Sequence, residues 1–111
     1  MSKTTPLRIA ESAARDLEEI QQWYKNKDVA TVGVRLVAEV VGRFKQLREF
    51  PGSGVQVPEF ESPLLRQLIQ GPFRIVYRYK DGKIAIVRVW RSERLMTSEG
   101  FDGTEPTEEQ E

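Results

Sequence analysis

Apolar residues recur at helical spacing through the first half of the chain, where they form two stripes. The first stripe consists of Ala13, Leu17, Ile20 and Tyr24. It predicts a helix over about 12–26, with the hydroxyl of Ser12 as its N-cap. The second stripe consists of Val29, Val32, Leu36, Val40, Phe44 and Leu47, and Val37 and Val41 widen it. It predicts a helix that Asp28 caps and Pro51 ends, so we expect the two helices to form an antiparallel hairpin.

Two glycines lie inside the second predicted helix. Gly33 and Gly42 each lower helix propensity by about 1 kcal/mol relative to alanine. We therefore expect the helix backbone to approach a neighbour closely at both positions.

Alternating apolar residues and turn residues predict strands in the rest of the chain. A short alternating segment, 7–9, predicts a first strand before the helices. Between Pro51 and Pro63, three prolines and two glycines indicate an irregular loop. Further strands are predicted over 64–70, 73–80 and 83–91. The order β-α-α-β-β-β predicts an α+β fold in which a helical hairpin packs on one face of a small antiparallel sheet.

The Asp81-Gly82 dipeptide is a type I′ turn signal and predicts the register of the last hairpin. A two-residue turn places aromatic and aliphatic side chains on the face that receives the helices. The pairs on that face are Tyr79 with Ile84, Tyr77 with Ile86, and Phe73 with Trp90. The opposite, exposed face receives Arg74 paired with Val89, Arg78 paired with Ala85, and Arg91. Arg88 falls on the packed face, where we expect it near an edge or paired with a carboxylate.

Other aromatic and acidic residues receive ordinary structural interpretations. Trp23 and Tyr24 are expected to pack rather than to stack on nucleic-acid bases. Asp16, Glu18 and Glu19 are expected on the exposed side of the first helix. No acidic group has metal-ligand spacing, and the chain has no histidine or cysteine, so neither a metal nor another cofactor is expected.

Charge is distributed unevenly along a chain whose net charge is zero. The segment 64–94 contains eight basic residues and two acidic ones. The last residues are acidic and too polar to pack, which predicts a disordered tail over 97–111 after one folded domain over 1–96. The N-terminus lacks the apolar core of a signal peptide and no apolar run could span a membrane, so we expect a cytoplasmic protein.

The arginines of the exposed sheet face indicate an anionic partner. Arginine is an acceptable residue on any solvated strand, but a set of arginines without compensating acids favours contact with a nucleic-acid phosphate or with an acidic protein. The chain has no nucleophile elbow, phosphate-binding loop or histidine. Catalysis is therefore not supported by the residues, because arginine is a poor general base.

Four segments together resemble the ParE/RelE superfamily of type II toxins. They are ARDLEEIQQWY at 14–24, LREFPGSG at 47–54, LLRQL at 64–68 and RIVYRYKDGKIAIVRVWRSER at 74–94. The resemblance covers about 7–95. It implies the β-α-α-β-β-β fold, a cognate antitoxin that neutralises the toxin in a hetero-oligomer, and a target in translation or DNA topology.

Two departures from the residues typical of RelE-type nucleases indicate the branch of the superfamily. In the RelE branch, which cleaves messenger RNA on the ribosome, Arg74 would hold the scissile phosphate. The position of Arg91 is commonly histidine in this superfamily, and the lysine-rich loop of the ribosome-dependent nucleases has no counterpart in 51–63. Both departures favour the ParE branch, whose members inhibit DNA gyrase and are not nucleases.

The resemblance implies a set of binding residues and leaves two alternatives. The arginines expected to contact the target or the antitoxin are Arg66, Arg74, Arg78, Arg91 and Arg94. The first alternative is a ribosome-dependent endoribonuclease that grips the phosphate with Arg74, Arg91 and Arg94. The second is a non-toxic interaction module of the same fold.

Overall fold

The computed structural model describes residues 4–92, which form two helices and a five-stranded sheet. The elements are β1 (Leu7–Ile9), α1 (Glu11–Asn26), α2 (Ala30–Glu49), β2 (Val55–Gln56), β3 (Leu65–Gln70), β4 (Phe73–Lys80) and β5 (Lys83–Arg91). The predicted α+β class and the helical hairpin on one face of the sheet are confirmed. Arg94 and the predicted tail, 97–111, lie outside the described residues.

The sheet is mixed rather than antiparallel. Its strand order is β1-β5-β4-β3-β2, with β1 parallel to β5 and every other neighbouring pair antiparallel. The prediction of an antiparallel sheet is wrong because the first strand pairs with the last one, and the long chain between them, which contains both helices and β2–β4, permits parallel pairing. The segment predicted as an irregular loop also contributes a short strand, β2.

Neither helix begins as the sequence predicts. The N-cap of α1 is Ala10, and Ser12 donates its hydroxyl hydrogen instead to the carbonyl of Val87, 2.7 Å away in β5. Asp28 has a positive φ of 63°, so it closes the connection between the helices rather than capping α2, whose N-cap is Val29. Ser12 therefore fastens α1 to the edge of the sheet where β1 has ended.

The β4–β5 hairpin contains a bulge that changes the predicted faces. Near the turn the register is as predicted, with Tyr79 opposite Ile84 and Tyr77 opposite Ile86. The register then shifts between Val76 and Tyr77, so that Val87 has no partner. Beyond the shift the pairs are Val76 with Arg88, Ile75 with Val89, Arg74 with Trp90, and Phe73 with Arg91. An extra residue in one strand moves all later side chains of that strand to the other face.

Four predicted placements on β5 are wrong because of this bulge. Val89 packs under the helices rather than on the exposed face. Arg91 lies on the helix-facing side, opposite Phe73, rather than on the exposed face. Trp90 and Arg88 lie on the side away from the helices, which we call the outer face.

A core lies on each face of the sheet. The larger core lies under the helices and contains Ala13, Tyr24, Val40, Phe44, Leu47, Phe73, Ile75, Tyr77, Ile84, Ile86 and Val89. The smaller core lies on the outer face and consists of Val57, Val76 and Trp90, with Phe60, Leu65 and Val87 packed against it. The segment between α2 and β3 therefore covers part of the face that we expected to be open to solvent.

The two glycines of α2 differ in their surroundings, and this difference predicts opposite effects of substitution. A Cβ at Gly33 would lie 2.8 Å from the Cβ of Tyr24, whereas a Cβ at Gly42 would meet nothing within 4 Å. The predicted close approach is confirmed at Gly33 and wrong at Gly42. We expect Gly33→Ala to lower the free energy of unfolding by about 1–3 kcal/mol through overpacking. We expect Gly42→Ala to raise it by about 0.5–1 kcal/mol through helix propensity.

Urea unfolding followed by circular dichroism measures both effects. Because the substitutions are chemically identical and lie in one helix, each serves as the control for the other. Equal effects at the two positions would contradict the packing argument.

Candidate functional site

Arg74 is buried on the outer face and pairs with a carboxylate. Its residue exposure is 7%, and its Nη1 and Nη2 donate to Glu59 Oε2 and Oε1 at 3.1 Å each. The side chain of Glu59 is 25% exposed. This bidentate pair fastens the segment after β2 to the middle of the sheet. The expectation that Arg74 is exposed and lacks a compensating acid is therefore wrong.

Arg88 pairs with Asp16 of α1 at the edge of β5. Its Nε and Nη2 donate to Asp16 Oδ2 and Oδ1 at 2.8 and 2.9 Å, and the backbone N–H of Val89 also donates to Oδ2 at 2.9 Å. Both charged residues are buried, with exposures of 7% and 6%. The predicted carboxylate partner of Arg88 is confirmed, whereas the prediction that Asp16 is exposed is wrong. The guanidinium of Arg88 also lies 4.4 Å from the ring centroid of Trp90.

Arg91 stacks on aromatic rings under the helices. Its guanidinium carbon lies 4.7 Å from the ring centroid of Trp23, 5.9 Å from that of Tyr24 and 6.0 Å from that of Phe73. Its Nη1 also donates to the hydroxyl of Tyr24 at 3.4 Å. Trp23 is 45% exposed, so the expectation that it packs in the core is only partly met. The cluster holds the end of β5 against α1 through cation–π contacts.

Arg66 and Tyr77 hold the turn after α2. Arg66 Nη1 donates to the carbonyl of Gly54 at 2.9 Å. The hydroxyl of Tyr77 donates to the carbonyl of Pro51 at 2.8 Å and accepts from the N–H of Gly54 at 2.9 Å. Burial raises the pKa of the Tyr77 phenol above the ordinary value of 10.0, and this effect exceeds the opposing effects of Gly54 and Arg66. Tyr77 therefore stays protonated near neutral pH and cannot act as a base there.

Arg78 is the remaining predicted arginine among the described residues, and it is exposed. It lies on the outer face near the Asp81-Gly82 turn, in register with Ala85 as predicted. Arg8 of β1 is also in register with Ala85 and is exposed. Arg78 thus belongs to a basic surface at the turn end of the hairpin, apart from Arg74.

The predicted arginine set is therefore not one surface. Arg74 and Arg78 lie on the outer face, whereas Arg91 lies under the helices. The acidic partners Asp16 and Glu59 were not predicted from the sequence. A signal for Asp16 was present, because it lies three residues after Ala13 and four before Ile20, on the apolar stripe. No local pattern marks Glu59, whose partner is 15 residues away.

Neither a metal site nor a membrane-spanning helix is found among the residues that the structure describes. Within 4–92, no three potential ligands among histidine, cysteine, aspartate and glutamate lie close enough to hold a metal ion. In the same part of the chain, no helix combines the length and the apolar character needed to cross a bilayer.

The helical hairpin on a mixed five-stranded sheet, together with the arginine-rich hairpin, defines a toxin of the ParE/RelE superfamily. The model of the family described as "ParE toxin of type II toxin-antitoxin system, parDE" matches residues 7–96. The chain belongs to this family, which confirms the resemblance drawn from its sequence.

Solved toxin-antitoxin structures are among those with a similar fold. One is the chromosomal ParDE toxin-antitoxin system from P. aeruginosa, which is 28% identical, with a TM-score of 0.68; the match covers 79% of this chain and 96% of that one. Another, the toxin-antitoxin complex RelBE2 from Mycobacterium tuberculosis, is 24% identical, with a TM-score of 0.60. Its match covers 79% of this chain and 98% of that one, and at this identity it shows the fold alone. No curated protein sequence matches the chain.

Proposed function

We propose that the protein is a cytoplasmic toxin that inhibits DNA gyrase. A cognate antitoxin neutralises the toxin by forming a hetero-oligomer with it. Family membership and the likeness to a chromosomal ParDE system support the antitoxin partner. The choice of gyrase over the ribosome depends on the geometry of the arginines.

The observation that carries this choice is the separation of Arg74 from Arg91. Cleavage of a phosphodiester requires groups that converge on one phosphate. Arg74 is opposite Trp90 and Arg91 is opposite Phe73, so the two side chains leave opposite faces of the sheet. Glu59 holds both terminal nitrogens of Arg74, and aromatic rings surround Arg91. With no histidine in the chain and Tyr77 protonated, this arrangement favours a protein-directed inhibitor over a nuclease.

A supercoiling assay with purified gyrase tests the proposal. We expect the purified toxin to block supercoiling of relaxed plasmid and to accumulate cleaved DNA complex, and we expect added antitoxin to restore supercoiling. Relaxation by a type I topoisomerase is the control and should be unaffected. Unimpaired supercoiling at a molar excess of folded toxin would refute the proposal, and the absence of growth arrest on expression would favour a non-toxic module.

Paired substitutions at Arg74 and Glu59 test the nuclease alternative. If Arg74 is only structural, Arg74→Gln and Glu59→Gln should each lower the free energy of unfolding by about 2 kcal/mol, since each breaks a largely buried pair. Primer extension on translated messenger RNA should show no new cuts during expression of the wild type or of either variant.

The two variants have different consequences if Arg74 is catalytic. Glu59→Gln releases the guanidinium for a phosphate, whereas Arg74→Gln removes it. Cuts that persist in the Glu59→Gln variant and disappear in the Arg74→Gln variant would establish the nuclease and contradict the gyrase proposal.

A further inference from the structure

Four basic side chains surround a depression on the outer face, beside the Asp81-Gly82 turn. Arg8 and Arg78 are both in register with Ala85, so they flank this small residue from the two neighbouring strands. Lys80 and Lys83 are paired directly with each other next to them. The depression has a volume of about 180 Å³, and these four cations line it together with Asp81, Ile84 and Ala85. We call it the outer basic pocket.

The cations of this pocket differ from the other arginines of the sheet in their partners. Arg66, Arg74 and Arg88 are held by carbonyls or carboxylates of the chain. Between Thr4 and Ser92, by contrast, no carboxylate forms an ion pair with any of the four pocket cations.

The arrangement of the pocket cations carries an energetic cost. Lys80 and Lys83 lie directly opposite each other in the hairpin. Like charges in such a pair are destabilising. One acidic residue, Asp81, lines the pocket with these four cations. A bound anion would offset the repulsion.

The chemistry of the pocket fits a phosphate better than an acidic peptide. Protein interfaces are depleted in lysine and depend on apolar or aromatic anchors, whereas interfaces with nucleic acids are strongly positive and polar. The apolar residues of the pocket, Ile84 and Ala85, are buried, with exposures of 1% and 6%, and so offer no exposed anchor. Two guanidinium and two ammonium side chains that line one depression suit a compact group with several oxygens.

We propose that the outer basic pocket binds a phosphodiester group of a nucleic-acid backbone. This binding is a separate activity from the inhibition of gyrase, because it requires only the toxin and the nucleic acid. The phosphate comes from either duplex DNA or single-stranded RNA, which present the same group, and the assay distinguishes these two sources.

Fluorescence anisotropy with the purified full-length toxin tests the site. The probes are a labelled DNA duplex and a labelled single-stranded RNA of equal charge, titrated over a range of salt concentrations. The variants are Arg8→Gln, Arg78→Gln and the double variant. Arg35→Gln is the matched control, because Arg35 is an exposed arginine on α2 that makes only an i,i+4 pair with Glu39. Thermal unfolding establishes that all variants are folded.

The expected result is binding of at least one probe that weakens with salt. Each single variant should bind about tenfold more weakly than wild type, as expected for the loss of a charge-assisted hydrogen bond. In the double variant, log affinity should also fall less steeply with log salt, so that the magnitude of the slope is smaller by about 1. Arg35→Gln should bind like wild type, and the preferred probe identifies the source of the phosphate.

The assay contains no gyrase, so its failure and the failure of the gyrase proposal are separate results. The phosphate site is overturned if the wild type binds neither probe at low salt, or if the double variant binds both probes like wild type. It is also overturned if polyglutamate of equal charge competes as well as the nucleic acid.

Discussion

Replacing Asp16 with alanine is expected to lower the free energy of unfolding by about 3–5 kcal/mol, because it leaves a buried guanidinium without its partner. Asp16 accepts hydrogen bonds from Arg88 Nε, from Arg88 Nη2 and from the N–H of Val89, all within 2.9 Å. Its loss leaves the charge of Arg88 uncompensated and the Val89 N–H without its acceptor at the edge of the sheet. Urea unfolding followed by circular dichroism measures the change.

Two comparisons separate the ion pair from a general effect of truncation on α1. Glu18→Ala removes an exposed carboxylate from the same helix and should change the free energy of unfolding by no more than about 0.5 kcal/mol. The double variant Asp16→Leu/Arg88→Leu should lose less free energy of unfolding than Asp16→Ala does, because it removes both buried charges and fills the space with apolar atoms. A small effect of Asp16→Ala, similar to that of Glu18→Ala, would contradict a buried pair.

Replacing Gly54 with alanine is expected to lower the free energy of unfolding by about 3 kcal/mol, because it overpacks the site and weakens a buried hydrogen bond. A Cβ at this position would lie 2.6 Å from the hydroxyl of Tyr77 and 2.8 Å from the carbonyl oxygen of Gln67. The second contact is with backbone, so it cannot be relieved by a side-chain rotation. The N–H of Gly54 donates to the same hydroxyl, and the clash would push these two groups apart. Chemical unfolding with tryptophan fluorescence as the probe measures the loss.

Gly52 provides the matched control for this substitution. It lies two residues earlier in the same turn, and a Cβ there would meet nothing within 4 Å. Gly52→Ala should therefore be neutral or slightly stabilising, by up to about 1 kcal/mol, because alanine lowers the entropy of the unfolded chain. If the two alanine variants have the same stability, the segment after α2 is not held against Tyr77 in the way described.

The two largest expected effects lie in contacts that hold the arginine-rich sheet to the rest of the chain. Asp16 binds the edge of β5 to α1, and Tyr77 and Arg66 hold the turn around Gly54. Arg74 and Glu59 continue the same attachment across the outer face. Most of these arginines that lie within residues 4–92 therefore stabilise the fold, and the pocket between Arg8 and Arg78 is an exposed basic site in this part of the chain.

The sequence by itself determined the elements and the family. Helical periodicity predicts α1 and α2 to within about two residues, because most residues of each apolar stripe pack against the sheet or the other helix. Alternation and the Asp81-Gly82 turn predict β4 and β5 with the bounds that they have. The superfamily resemblance depends on the same local segments and is confirmed over residues 7–96.

Only the tertiary structure decided which faces the arginines occupy. The bulge at Val87 leaves no mark in the hydrophobic pattern, because apolar residues line both faces of β5 beyond it: Val89 packs under the helices and Trp90 packs on the outer face. The covering of the outer face also depends on distant partners, such as Glu59 and Val57, which local periodicity cannot pair. Since side chains alternate with a period of two, a single extra residue moved Arg91 under the helices and brought Trp90 to the outer face.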